Sequence, residues 1–479
     1  MVKKVLAFDF GASSGRAILG SLNGTKLQIK EIYRFENNPI TKEGTLYWDI
    51  IALFSELKNV LKVIGNDKDL ISIAIDTWGV DYGLINQKGE LMQNPVHYRD
   101  SRTDNITADI SDSYLETLYE LTGIQQLNIN TLFQLMAEKR DHPTEFAQLE
   151  KILLMPDLFN YFLTGKIVAE RTIASTTQLF NPYTKQWEEK VFQLFGLPEK
   201  IMPDLISPGQ MIGTLSSVLA NELSIPNIPV VAVCSHDTAS AVVSVPEVED
   251  KPFLFISSGT WSLVGTELTN PIINSTARFY NLTNESGLDS TTHFLKNMTG
   301  LWIIQEVKRQ LEQEGKFYSY DEINTLATQA RKCVCLLDTD AVAFLKPGDM
   351  VRRIKTYARK TNQEIPATDG EIFRCVYESL AMKYVQVKQE IEEITKNKFT
   401  RIYIIGGGSK AELLCQLTAD FAAVEVITGP VEASAIGNVA VQFMASGDIE
   451  SFAGARELIQ ASFPIKRYTP IIQKEEGRC

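Results

Sequence analysis

The chain has 479 residues, 44% hydrophobic and 22% charged, which is ordinary for a globular enzyme and enough for roughly two to four domains. Its 47 basic and 59 acidic side chains leave a net charge of −12 with no basic cluster, which argues against a nucleic-acid or membrane-surface partner. Six cysteines without a C-x-x-C pair, and four histidines without metal-ligand spacing, exclude a zinc framework and read as a reduced, cytoplasmic set. No signal peptide and no long apolar span is read, since Asp9 interrupts the first apolar run.

Residues 5–10 are apolar apart from Asp9 and end at a glycine, so they predict a buried strand. Gly11-Ala12-Ser13-Ser14-Gly15 then forms a turn of small residues, whose two glycines are expected to take positive φ. Successive amides in such a turn can bind an anion. Asp9 beside it is placed to hold Mg²⁺, directly or through water. A plain hairpin with a satisfied aspartate is the competing reading.

Asn23-Gly24 predicts a hairpin, so the chain opens as three antiparallel strands. Asp49 is placed to cap a helix whose apolar face is Ile50, Leu53, Phe54, Leu57, Val60, Leu61 and Ile64. Residues 70–75 read as a strand, in parallel pairing, stopping at Asp76-Thr77-Trp78-Gly79. Tyr98-Arg99-Asp100-Ser101-Arg102 reads as a solvated loop with local ion pairs. Another strand, 228–233, runs into Ser235-His236-Asp237.

The acidic, proline-bracketed stretch 246–252 is the best linker and divides the chain into domains 1–245 and 246–479. Beyond it, strand, Ser257-Ser258-Gly259-Thr260 turn and strand repeat the opening pattern. A long core helix is predicted over 371–394 and a strand over 401–405. Gly406-Gly407-Gly408 follows, then a helix begun by Ser409 with Glu412 as a capping box. A last strand, 423–427, leads into a small-residue helix after Gly429.

None of the three glycine turns is a P-loop or a G-x-G-x-x-G turn. Together they suggest a nucleotide clamped between two domains. Amides and the hydroxyls of Ser13, Ser14 and Thr260 would hold its phosphates, and the bare backbone of 406–408 would take its adenosine. Asp237 is either the base that accepts a proton from an acceptor hydroxyl or an N-cap of the next helix. His236 is a substrate donor or a satisfied core imidazole. Contiguous Ser235-His236-Asp237 is not a hydrolase triad, because neighbours in sequence cannot stand in line.

Ala-Ser-Ser-Gly-Arg at 12–16, Ile-Asp-Thr-Trp-Gly-Val-Asp at 75–81, Tyr-Arg-Asp-Ser-Arg at 98–102 and Ser-His-Asp-Thr-Ala-Ser-Ala at 235–241 are shared motifs. So are Ser-Ser-Gly-Thr-Trp-Ser at 257–262 and Gly-Pro-Val-Glu-Ala-Ser at 429–434. Over residues from about 5 to about 445 the chain resembles the FGGY carbohydrate kinases, and among them those acting on L-rhamnulose. The resemblance implies an α/β fold of two ribonuclease H-like (actin/hexokinase-like ATPase) domains flanking a nucleotide cleft. The N-terminal domain would carry the sugar and the base, the C-terminal one the nucleotide.

The activity implied is ATP-dependent phosphorylation of the first-carbon hydroxyl of L-rhamnulose, with ATP and Mg²⁺. Ala12, Ser13, Ser14, Gly15, Arg16, Thr260, Gln305 and Gly407 would contact ATP. Gly79, His236, Asp237, Thr238 and Asn297 would contact the sugar, with Asp237 as proton acceptor. The implied partners are small molecules only, and a monomer or weak dimer is expected. Leu127-Asn128-Ile129-Asn130-Thr131 departs from the family form, and the tail after about 450 carries no usable motif. The alternatives are a fuculose or xylulose kinase of the same family, an actin-like ATPase, and a sugar-binding regulator, for which no DNA-binding segment is present.

Overall fold

A computed structural model describes residues 2–249 and 251–471, which form two compact units. One unit takes the chain up to Val248 together with Leu268–Phe294 and Ala433–Ser462. The other takes Glu249–Glu267, Leu295–Glu432 and the segment from Phe463. The first passage between them falls inside the expected linker, whose Asp250 lies outside the described residues, as does Cys479.

The first unit opens with β1 (Lys4–Phe10), β2 (Ser14–Asn23) and β3 (Lys26–Glu36), paired antiparallel as the Asn-Gly turn predicts. In β1, Leu6, Phe8 and Phe10 point into one apolar cluster with Trp48, Leu57 and Ile75. Alternation puts Val5, Ala7 and Asp9 on the opposite face, and both faces are buried. Helix α1 (Ile50–Ile64) follows, with the Asp49 side chain accepting from the Ala52 amide. Its buried residues are Ile50, Leu53, Leu57, Val60 and Leu61, the predicted face.

Strand β4 (Leu70–Thr77) lies parallel to β1, placing Asp76 beside Asp9. Short β5 (Val168–Glu170), β6 (Met211–Thr214) and β7 (Pro229–Val231) come next, and the main sheet reads β6-β7-β4-β1-β2-β3. Helix α2 (Asp237–Val243) leaves the corner after β7.

The second unit repeats the layout of the opening strands. β8 (Leu254–Ser258) pairs antiparallel with β9 (Trp261–Leu268). The chain next returns to the first unit, where β10 (Thr283–Ser286) lies. It then runs through β11 (Thr292–Thr299), α3 (Trp302–Gln313), α4 (Tyr320–Gln329) and the long α5 (Asp369–Thr395). A Thr368/Glu371 capping box starts α5, and Gly370 fits where a side chain would meet the Leu326 carbonyl at 2.8 Å.

Strand β12 (Arg401–Ile405) is parallel to β8. After it come α6 (Glu412–Ala422), β13 (Glu425–Thr428), α7 (Ala433–Ala445), α8 (Phe452–Ser462) and β14 (Lys466–Tyr468). The strands of the second unit run β11-β9-β8-β12-β13-β14.

Helix α7 belongs to the first unit, because it covers the Asp9 face of β1 and crosses α2. Its Asn438 donates to Asp76 Oδ2 at 2.6 Å, and Gln442 donates to the Leu6 carbonyl at 3.2 Å. Gly20 of β2 leaves room for Val439, which an added methyl would overlap at 2.3 Å.

Three local expectations are corrected. The stretch 98–102 is not a solvated loop. Tyr98 and Asp100 are buried, and Arg102 is paired at 2.6 Å with buried Glu138. Ser409 does not cap a helix, since its hydroxyl is turned back on the Gly406 carbonyl at 2.7 Å and a 3₁₀ turn over Gly407–Lys410 precedes α6. Cys234, Cys335, Cys375 and Cys415 are free and buried, but Cys333 is disulfide-bonded, so the wholly reduced reading fails there.

Candidate functional site

In the first unit three charged residues stand side by side on adjacent strands: Arg16 faces Asp9 across β1 and β2, and Asp76 faces Asp9 across β1 and β4. Arg16 donates to Asp9 Oδ2 through Nη2 at 2.6 Å and Nε at 3.0 Å. Ser434 of α7 donates to the same oxygen at 2.5 Å. Asp9 thus fixes the direction of the Arg16 guanidinium.

The turn between β1 and β2 presents Ser13 at the surface, with Ala12 and Ser14 partly covered. Neither Gly11 nor Gly15 has positive φ, contrary to expectation. Gly15 is needed for space: a methyl there would sit 2.2 Å from the Phe35 ring.

The corner at Ser235-His236-Asp237 is held from several sides. Thr77 at the end of β4 donates its amide to the Ser235 carbonyl at 2.9 Å. The Ser235 amide donates to Glu170 Oε2 at 3.0 Å, and the His236 amide to Thr172 Oγ1 at 3.3 Å. Glu170 also accepts the amides of Thr172 and Ile173, and burial lifts its carboxyl to about 7. His236, not Asp237, is the N-cap residue of α2. Asp237 is the first helical residue, and 34% of its side-chain surface remains accessible. Thr238 donates its hydroxyl to Asp237 Oδ1 at 3.3 Å.

Burial pushes the Asp237 carboxyl above the ordinary aspartate range and the Asp9 charge adds to this, while His236 pulls it down. Asp76 is held well above that range, first by burial and then by Asp9. For His236, burial disfavours the cation, but Glu285, Asp237 and Glu170 together outweigh it, so the imidazole is raised. His236 Nε2 is 3.5 Å from Asp237 Oδ1.

Gly79 closes this corner. A methyl there would lie 3.3 Å from Thr176 Oγ1 and 3.5 Å from His236 Nε2. Its neighbour Val80 has φ of 68°, and Thr131 donates to the Val80 carbonyl at 2.7 Å. Asp81 anchors the loop, accepting from Trp48 at 2.6 Å, Gln134 at 2.9 Å, Trp78 at 3.0 Å and the Tyr98 amide at 3.2 Å. Burial nevertheless lifts Asp81 to about 6, against these donors. The divergent segment 127–131 therefore buttresses the loop, through Thr131 and through the Ile129 carbonyl that accepts from Gln134.

In the second unit Thr260 Oγ1 donates to Gln305 Oε1 at 3.1 Å, which joins two of the expected residues. The Gly300 and Trp302 amides donate to the Thr260 carbonyl at 3.1 and 3.2 Å, fixing this turn onto the start of α3. Nothing lies within 4 Å of a methyl built on Gly407, whereas Gly408 is pressed on Ser258. The backbone at Gly407 is therefore bare, as a surface for a flat base requires. Asn297 is on β11 and half-buried.

A model of the N-terminal domain of the FGGY family of carbohydrate kinases matches residues 4–244, and one of its C-terminal domain matches residues 254–446. The chain belongs to the FGGY family of carbohydrate kinases. It is similar to a rhamnulokinase of Halalkalibacterium halodurans, 42% identical over 97% of this chain and 98% of that one. A rhamnulokinase of Bacteroides thetaiotaomicron is 40% identical over 98% and 96%. Among solved structures, a gluconate kinase and a xylulose kinase from Lactobacillus acidophilus superpose with TM-scores of 0.78 and 0.77, each covering 98% of this chain and 94% of that one, both at 17% identity. This carbohydrate kinase therefore has the actin/hexokinase-like ATPase fold, mixed α/β, as the motifs implied. No helix among the described residues is long and apolar enough to cross a membrane.

Proposed function

We propose that this carbohydrate kinase transfers the terminal phosphoryl group of ATP to the first-carbon hydroxyl of L-rhamnulose, giving L-rhamnulose 1-phosphate and ADP. The observation that carries the reading is the corner of Gly79, His236 and Asp237. It is a part-accessible carboxylate 3.5 Å from an imidazole, beside a glycine where a methyl would stand 3.3 Å from Thr176 Oγ1. The sugar identity comes from the rhamnulokinases to which the whole chain is similar.

Asp237 takes the proton of the attacking hydroxyl, and its raised carboxyl suits that work better than an ordinary aspartate would. His236 and Thr238 orient the sugar, with Asn297 contributing from β11. Ala12, Ser13, Ser14, Gly15 and Arg16 on one unit, and Thr260, Gln305 and Gly407 on the other, serve ATP. Residues 1–245 thus carry mainly sugar and base, and 246–479 mainly nucleotide. The enzyme works in the cytoplasm as a monomer or weak dimer.

Mg²⁺ fits Asp9. The Asp9 charge helps to raise the carboxyls of Asp76 and Asp237, which marks negative charge there that a cation would relieve. Among the described residues no group of three ligating side chains could hold a metal ion by itself. Asp9, whose Oδ2 already accepts from Arg16 and Ser434, would hold the ion. When bound, Mg²⁺ neutralises charge on the phosphates.

The test is ADP formation with L-rhamnulose against L-fuculose, D-xylulose and no sugar. Rhamnulose should be preferred. Sugar-independent turnover would favour an ATPase, and equal use of another ketose would move the assignment within the family. Asp237→Asn should lower kcat by about 10²–10⁴ with KM for ATP nearly unchanged. Full activity in that variant removes Asp237 as base.

A further inference from the structure

The strand β10 follows the linker in sequence yet folds with the first unit. It is pinned on both sides of Glu285. The Asn284 amide and side chain donate to the Gly123 carbonyl at 2.9 and 3.0 Å, and the Ser286 amide donates to Ser175 Oγ at 2.8 Å. Between these anchors the Glu285 side chain is 6% exposed, with Oε2 3.3 Å from His236 Nδ1. Glu285 is absent from the expected sugar and nucleotide residues.

We propose that Glu285 is a positioning residue for His236. A buried carboxylate facing Nδ1 requires a hydrogen on that nitrogen, which fixes both the tautomer and the ring plane. The opposite nitrogen, Nε2, is thereby directed to Asp237 and Gly79. Three carboxyl groups act on the ring: Glu285 from β10, Asp237 beside it in sequence, and Glu170 from β5. All three favour the cation against the burial that opposes it, and Nε2 is the ring nitrogen left to meet a sugar oxygen beside Asp237. Glu285 thus sorts the roles of its two neighbours without touching the substrate.

This inference rests on the proposed sugar site but is tested apart from it. The full chain would be labelled with ¹⁵N-histidine, and the His236 signal identified by its loss in His236→Gln. The wild-type ring should keep Nδ1 protonated and titrate above an ordinary histidine. Glu285→Gln should bring that titration down, raise KM for the sugar by about 10- to 100-fold, and leave KM for ATP and the melting temperature unchanged. Glu285→Asp should recover part of the loss. An unchanged His236 titration in Glu285→Gln overturns the proposal, as does a loss of ATP binding or melting temperature that matches the loss of sugar binding. If the ring shifts as stated but wild type ignores L-rhamnulose, the positioning role stands and the sugar assignment falls.

Discussion

Val80 is a β-branched residue at φ of 68°, a conformation that costs such a side chain about 1–3 kcal/mol. Its carbonyl is fastened by Thr131, and Asp81 after it is locked by Trp48, Trp78 and Gln134. The surroundings overdetermine the strained residue, and the atoms it fixes are those of Gly79, next to His236. Replacing Val80 by Gly relieves the strain but frees the unfolded chain and uncovers apolar surface, contributions of similar size and opposite sign. The expected result is a melting temperature within a few degrees of wild type together with a several-fold rise in KM for the sugar. An unchanged sugar KM would show that the loop holds its shape without the strain. The residue scale is also where reading from sequence stops. Gly79 and Asp81 are legible as parts of a motif, but Glu285 lies in another part of the chain and has no spacing relation to His236. Only the packing of β10 discloses it.

Helices α7 and α2 cross where Gly437 meets Ser240. A methyl on Gly437 would fall 1.8 Å from the Ser240 carbonyl oxygen, a backbone atom that no rotamer change can move. Gly437→Ala gains about 1 kcal/mol of helix propensity, yet the overlap should cost more, about 1–3 kcal/mol net or above. Because Asp237 opens α2, the forced separation should lower kcat more than it alters KM for ATP. Thermal unfolding and steady-state kinetics of this variant check both effects, and a variant as stable and active as wild type would refute the close crossing. Elements built on local patterns were readable in advance: the three-strand opening, the Asp49-capped helix and the strand at 401–405. The capping box at Ser409 was misread, because a bond to the Gly406 carbonyl competes for the hydroxyl. The positive φ allowed for the glycines at 11 and 15 is not used, and Gly15 serves instead to admit the Phe35 ring.

At the scale of the whole molecule, the buried acids set a pH dependence. Burial raises Glu170 from 4.5 to about 7 and Asp81 from 3.8 to about 6. An acid held above its unfolded value binds its proton more tightly in the folded chain. Its contribution is complete below the unfolded pKa and is lost as pH rises through the folded one. Each contributes up to about 3 kcal/mol over its window. Glu249, drawn down to about 2 by Arg401 and Lys251, acts in the opposite sense and only at lower pH. The melting temperature should therefore fall between about pH 4 and pH 7, and fall less in Glu170→Gln. A flat or rising wild-type profile would mean that the N–H donors around these carboxyls outweigh their burial.

The chain leaves the first unit after Val248, returns for Leu268–Phe294 and comes back last at Ala433, which has a consequence for its birth on the ribosome. Ser434 and Asn438, the partners of Asp9 and Asp76, emerge about 200 residues after β7, the last strand of that unit's main sheet. At ordinary elongation speeds this is roughly 10–40 s, during which one face of β1 has no cover and two acids lack their neutral donors. Holding factors that shield nascent chains would have their work concentrated in that interval.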